Sequence, residues 1–311
     1  MSHSVWRFGS QLRRGAGGLR PVGRVPAHVE HRPDLPPGEV VHLPGRGEVF
    51  VRRHSGPGHG VPVVLLHGVT WSADINFHGV FDALSRHHPV VALDQRGRGR
   101  GLPITGEFGL SDMADDVIAL LDELGIDEAV LCGCSLGSLV ALHAALGHRD
   151  RVAGLVLCGA ALCYRRLLRD RLALAAVRPA AAMAKFGFGK SLAARYFGAN
   201  RTEERFRTLW PWLRAELART PPSGVTSVMR AVADHDLRSR AHELRDLVAV
   251  VVLTTHDTIC NPALQEEMAA ALDAQVVRLD RDHDVPLADP DAYRDAVVGT
   301  LSRLTRADAR A

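Results

Sequence analysis

Val130-Leu131-Cys132-Gly133-Cys134-Ser135-Leu136-Gly137-Ser138-Leu139-Val140 is the stretch on which the reading of this chain turns. Residues 128–132 predict a strand, and 136–146 follow with the composition of a buried helix. Between them the chain must reverse within Gly133-Cys134-Ser135-Leu136-Gly137. A serine on so tight a strand-to-helix turn is held in a strained backbone conformation. Glycines two residues to either side are required because side chains there would collide with neighbouring structure. The spacing therefore selects Ser135. Were Cys134 the exposed residue, the flanking positions would be Cys132 and Leu136, and neither is small enough. The pattern G-x-S-x-G is common by chance, and its place between this strand and this helix separates it from a plain glycine-rich turn.

The same strand–helix alternation extends in both directions. Two short strands, 39–43 and 48–54, flank Pro44-Gly45-Arg46-Gly47 and predict an antiparallel hairpin. Val61-Pro62-Val63-Val64-Leu65-Leu66 is an apolar run too short for a helix and reads as a buried central strand ending in His67-Gly68. A helix near 76–86 leads to a strand over 89–93. Ser111 is placed to cap a helix over 111–124, with Met113, Val117, Leu120, Leu121 and Leu124 on one face and Gly125 just past its end. A strand over 152–158 closes this half. Residues 160–243 then predict helix throughout, and strand 247–254, helix 261–272, strand 275–279 and a helix near 290–305 resume the rhythm. Such alternation implies a mostly parallel sheet, here eight-stranded, wound by right-handed crossovers. The helical block is expected as a cap over its carboxyl edge. The organisation expected is thus a tail over 1–38, a catalytic domain over 39–159 and 244–311, and a helical cap over 160–243.

A serine hydroxyl needs a base to take its proton, and an oriented histidine is the usual one. Of sixteen histidines, His283 lies in Arg281-Asp282-His283-Asp284, just beyond the last predicted strand and at the edge where Ser135 sits. Asp257, in Thr254-Thr255-His256-Asp257-Thr258, follows the preceding strand and can hold the imidazole in one tautomer. The chain order Ser, acid, His is thereby filled. The strand before offers only Cys158-Gly159-Ala160-Ala161, without a carboxylate, and Asp236 in the helical block is the rival acid. Asp234-His235-Asp236 and Asp282-His283-Asp284 lack the second cluster that metal binding would require, so no metal is expected. The N–H groups of Leu136 and of Val69, in His67-Gly68-Val69-Thr70, are the expected donors to a developing oxyanion, and His67 itself is expected to be structural.

Taken together, Val63-Val64-Leu65-Leu66-His67-Gly68, Asp94-Gln95-Arg96-Gly97-Arg98-Gly99, Gly133-Cys134-Ser135-Leu136-Gly137, Asp257 and Asp282-His283 make residues 39–305 resemble the lipase/esterase-like α/β-hydrolase family. The resemblance implies a Ser-Asp-His hydrolase with a helical cap, no cofactor, and a small ester, lactone or related acyl substrate. Carbon–carbon bond hydrolysis, acyl transfer or perhydrolysis on the same residues, and a binding protein without turnover, are the alternatives. Ser138 stands where many relatives carry a second glycine, and Asp282 where glycine is frequent. Neither change removes a group the chemistry needs. The cap aromatics Phe186, Phe188, Phe197, Trp210 and Trp212 are each expected first to pack the cap helices together, and collectively, with Cys134, to line an apolar pocket, with the loops at 69–78 and 257–262 as the other source of one.

Composition narrows the partners. Hydrophobic residues make up 46% and charged residues 23%, and no apolar run approaches the ~20 residues of a membrane-spanning helix. The net charge of +3 is more than accounted for by residues 1–38, where six arginines face Glu30 and Asp34, so the body offers no footprint for nucleic acid. Those residues, rich in Arg, Gly and Pro, predict a poorly ordered tail and permit a transit peptide or a weak membrane-surface contact. The five cysteines are an odd number set mainly in buried strands, which suits reduced thiols in a cytoplasmic protein. Arg96-Gly97-Arg98-Gly99-Arg100-Gly101 fails as a dinucleotide fingerprint because Leu102 stands where the third glycine belongs, and it is too short for an RNA-binding tract.

Overall fold

A computed structural model describes residues 20–21, 32–57, 60–164, 204–220 and 222–308. Its strands are β1 (Arg20–Pro21), β2 (Gly38–Leu43), β3 (Gly47–His54), β4 (Val63–Leu66), β5 (Val90–Leu93), β6 (Ala129–Cys134), β7 (Val152–Cys158), β8 (Ala249–Thr254) and β9 (Gln275–Leu279). They form one sheet in the order β1-β2-β3-β5-β4-β6-β7-β8-β9. From β5 to β9 every neighbouring pair is parallel, and β1, β2 and β3 join antiparallel at one edge. The eight strands expected from the alternation are all present. The ninth, β1, pairs Arg20 with Val40 and Pro21 with Glu39, so part of the segment read as a tail touches the sheet.

The helices are α1 (Ala73–Phe77), α2 (Phe81–Ser85), α3 (Leu110–Leu124), α4 (Leu136–Gly147), α5 (Glu204–Leu217), α6 (Pro222–Ala233), α7 (Pro262–Ala271), α8 (Val285–Ala288) and α9 (Pro290–Asp308). The central strands are buried on both sides, so alternate residues feed two cores. Val64 and Leu66 of β4 join Met113, Val117 and Leu121 of α3 and Leu139 of α4 on one face. Val63 and Leu65 join Phe77, Phe81 and Leu84 of α1 and α2, and Tyr293, Val297 and Leu301 of α9, on the other.

Two local expectations are corrected. The single helix expected near 76–86 is two short helices, separated at His78-Gly79-Val80, where Gly79 lies against Pro290. Helix α3 starts at Leu110, not after a Ser111 cap. Gly109 is its N-cap, and its N–H donates to the Asp112 carboxylate at 2.8 Å, while the Ser111 hydroxyl meets His143 Nδ1 at 3.2 Å. Its other end is as read, with Gly125 in the left-handed conformation at φ 63°.

The Arg96–Gly101 run is a turn after β5 whose arginines face different partners. Arg96 grips Asp116 with two hydrogen bonds, of 2.8 and 2.6 Å. Arg100 Nε donates to Asp94 at 2.9 Å and Nη2 to Asp74 at 3.0 Å, and Nη2 lies 3.5 Å from Glu216 of α5. Arg98 is buried, and desolvation lowers its pKa to about 9. Arg100 joins three buried carboxylates; Arg52 also holds Asp74 and Arg219 also reaches Glu216, but Asp94 has no other cation among the described residues, so removing Arg100 leaves that carboxylate buried without one. Arg100→Met is therefore expected to cost about 3–5 kcal/mol of stability, read by urea denaturation. A loss below about 1 kcal/mol would place the network among surface pairs in effect.

Candidate active site

Five strand ends supply the site: the loops after β4, β6, β7, β8 and β9 all open at the carboxyl edge of the parallel sheet, where such folds hold their ligands. Ser135 is the turn between β6 and α4, with φ 52° and ψ −115°. Its N–H donates to the carbonyl of Cys158 at 2.7 Å. A Cβ on Gly137 would overlap the Leu66 carbonyl, and one on Gly133 would overlap the backbone at Gly137 and Ser138. The glycines are needed for the reason the spacing suggested.

The imidazole of His283 lies between Ser135 and Asp257. Ser135 Oγ is 3.0 Å from His283 Nε2, and His283 Nδ1 is 2.9 and 3.1 Å from the two Asp257 oxygens. Asp257 is itself held from all sides. Oδ1 accepts from the N–H groups of Ile259 at 2.9 Å and Cys260 at 2.6 Å, and Oδ2 from Thr254 Oγ1 at 2.6 Å and Gln265 Nε2 at 3.0 Å. Burial would raise the Asp257 pKa, but these donors and His283 hold it below the usual carboxylate value. Burial likewise opposes charge on His283. The hydrogen bond and negative charge of Asp257, with smaller contributions from Cys134 and Asp282, override it and raise the imidazole pKa. With Nδ1–H directed to the carboxylate, the neutral ring presents Nε2 as an acceptor to Ser135.

Asp236 is exposed and bound by Arg238 at 2.6 and 2.9 Å, and none of the hydrogen bonds of His283 goes to it. Gly159 follows β7 with φ 61°, and a Cβ there would come within 3.1 Å of the His283 ring. The residue that offered no carboxylate is the floor beneath the imidazole.

The loop after β4 is fastened by His67. Its Nε2 accepts the Gln95 N–H at 2.9 Å, which assigns the proton to Nδ1, 2.8 Å from the Gly68 carbonyl. Burial drives its pKa down to about 4, so the ring is neutral and structural. Gly68 N–H donates to Asn76 Oδ1 at 2.9 Å. The N–H groups of Val69 and Leu136 meet no acceptor among the described residues, and both residues line the same cavity as Ser135 and His283.

That cavity, about 310 Å³, is walled mainly by apolar groups: Trp71, Cys134, Leu139, Tyr164, Met229 and Val232, with Ile259 at its exposed rim. Of the expected aromatic lining, Phe186, Phe188 and Phe197 lie outside the described residues. Trp210 and Trp212 do not line the cavity. Trp212 is buried with Trp71, Ile75 and Leu213, and Trp210 packs on the same cluster, so they support the wall from behind. Sequence reasoning missed Met229 and Val232, whose apolar helical spacing resembles any core face, and Ser138, whose hydroxyl accepts the Cys158 N–H at 3.0 Å and stitches α4 to β7. All five cysteines are buried and free. Among the described residues no group of three metal-ligating side chains converges, and no helix is long and apolar enough to cross a membrane.

The chain is similar to known proteins. Over 190 residues the chain is 30% identical to a pimeloyl-[acyl-carrier protein] methyl ester esterase of Aeromonas hydrophila, covering 58% of this chain and 71% of that one. It is 36% identical over 104 residues to a candidate carbamate hydrolase, RutD, of Caulobacter vibrioides, covering 33% of this chain and only 39% of that relative's length. Among solved structures, an enol-lactonase from Burkholderia xenovorans superposes with a TM-score of 0.71 at 26% identity, covering 85% of this chain and 99% of that one. Residues 63–296 match the model of the alpha/beta hydrolase family, and the chain belongs to that family.

Proposed function

We propose that this chain is a serine hydrolase that opens a small, apolar carboxylic ester or lactone through an acyl-enzyme. The observation that carries the reading is the continuous line from Ser135 Oγ through His283 to Asp257, with contacts of 3.0 and 2.9 Å. Ser135 attacks the carbonyl as His283 Nε2 takes its proton, and Asp257 keeps the ring oriented and stabilises the imidazolium. The Val69 and Leu136 N–H groups receive the oxyanion. His283 then protonates the departing alcohol and activates the water that releases the acid. A relative named for a methyl ester and a neighbour named for an enol-lactone support an ester or lactone as substrate. The apolar cavity favours an uncharged acyl or alcohol group. We read residues 160–243 as a cap closing over it, residues 1–38 as peripheral to the chemistry, and the buried thiols as suited to the cytoplasm.

A panel of activated esters of increasing chain length beside lactones, with a fluorophosphonate probe on the serine, tests the reading. Ser135→Ala is expected to lose labelling and at least about 10³-fold in turnover. Full activity in that variant excludes the assignment. Asp257→Asn should lose a comparable share of turnover and Asp236→Asn almost none, and the opposite ranking would give the third role to Asp236.

The base must be neutral to accept the serine proton, and its pKa is raised above the ordinary 6.5. Activity is therefore expected to fall as pH decreases through a value above 6.5, and kcat/KM against pH checks it. An acid limb below pH 6 would contradict the geometry around His283.

Each methylene that fits the cavity should add about tenfold to kcat/KM until the wall is reached. Met229→Ala and Val232→Ala should move that limit to longer chains with labelling of Ser135 unchanged. An unaltered chain-length profile in both would mean that acyl groups bind elsewhere.

A further inference from the structure

Asp282 is the residue before the candidate base, and nothing in the cycle above employs it. The backbone between the β8 and β9 loops is zipped as far as His256: Thr255 N–H donates to Leu279 O at 3.0 Å and His256 N–H to Arg281 O at 3.1 Å. There the main-chain ladder stops. The Asp282 carboxylate continues it, Oδ1 accepting the Thr258 N–H at 2.8 Å and the His283 N–H at 2.6 Å. Thr258 Oγ1 lies 3.1 Å from each Asp282 oxygen. One oxygen thus joins the residue after Asp257 to the backbone of His283.

We propose that Asp282 is a positioning residue that fastens the acid loop to the histidine loop and sets both the place and the proton affinity of His283. The proposal rests on the Ser-His-Asp reading above. A glycine at 282 would leave the Thr258 N–H without this acceptor, and beyond the bonds of Thr255 and His256 the two loops would be joined through the Asp257–His283 contact. The groups facing the imidazole are Asp257 from the β8 loop, Ser135 and Cys134 from the β6 turn, and Asp282 from its own loop. No arginine or lysine among the described residues pairs with Asp282, and its negative charge favours the imidazolium. An exposed aspartate with a merely solvating role would have neither the shared oxygen nor this effect on the ring.

Two substitutions separate the contributions. Asp282→Asn keeps an oxygen for both N–H groups, and its amide can donate to Thr258 Oγ1, but it removes the charge. Asp282→Ala removes both. The readouts are kcat and KM on an activated ester and the pKa of His283 from NMR titration of its Cε1–H, assigned with His283→Gln. The alanine variant is expected to lose about tenfold in kcat with KM changed less than about twofold, as for loss of a hydrogen bond to a charged group. The asparagine variant should retain kcat within about twofold at the alkaline plateau while its His283 pKa and its acid limb both move to lower pH. An alanine variant with the parent's kcat, or an asparagine variant with an unmoved His283 pKa, overturns the proposal. The titration needs no turnover, so a fully active Ser135→Ala would refute the acyl-enzyme reading separately and leave the NMR result to decide on Asp282.

Discussion

The contact between Gly137 and the carbonyl of Leu66 is the constraint on which the site depends, because it brings α4 so close to β4 that no side chain fits between them. That closeness is what allows the chain to leave β6 and enter α4 through a single residue at positive φ. For a residue with a side chain such a conformation costs of order 1–3 kcal/mol, and it persists only where the surroundings hold it. Here Cys158 holds it, accepting the Ser135 N–H and exchanging hydrogen bonds with the Ser138 hydroxyl. The strain lifts the serine oxygen off the sheet and toward His283.

Around that turn, each loop is anchored by a buried polar group rather than left to pack by apolar contact alone. His67 and Gln95 tie the loop after β4 to the loop after β5, Gln95 Nε2 also donating to the His67 carbonyl at 2.6 Å. Asp94 accepts the Ala73 N–H at 2.8 Å and so fixes the start of α1. Arg100 joins the same aspartate to Asp74 and to Glu216 on α5, which links the helices after β7 to the body through charge. Burial raises the pKa of Glu216 even beside that arginine, as expected for a carboxylate kept from water. The outcome is a set of donors oriented before any ligand arrives, which is how such sites lower barriers.

The turn at Ser135, the strand that precedes it and the histidine that meets it were legible because local rules govern them. Gly133 and Gly137 have to be small wherever this turn occurs, and alternation of short apolar runs with helical periods determines on which sheet edge Ser135, Asp257 and His283 emerge. Strands 152–158 and 275–279 were read to the residue for the same reason. The start of α3 was misread because Ser111 and Gly109 both satisfy an N-cap rule, and only the distant His143 draws the serine hydroxyl away. Trp210 and Trp212 pack as core residues, the reading expected of each singly, and not as the pocket lining expected of the aromatics together. An aromatic on a helix carries the same signal whether it faces a cavity or the residue behind the cavity wall.

Residue type and spacing along the chain were enough to specify the sheet, the elbow, the meeting of Ser135, Asp257 and His283 at one edge, and the pairing of His283 with Asp257 rather than Asp236, since each follows from neighbours within a few positions. Which groups wall the cavity and which donors hold Asp257 was decided by tertiary contact. Met229 and Val232 reach the cavity Ser135 opens on because α6 is folded back across the sheet edge, and Gln265 reaches Asp257 because α7 returns beside β8. Contacts of this kind join residues far apart in the chain through the shape of the whole fold, and a pattern read along one segment carries no record of the partner that another segment will bring.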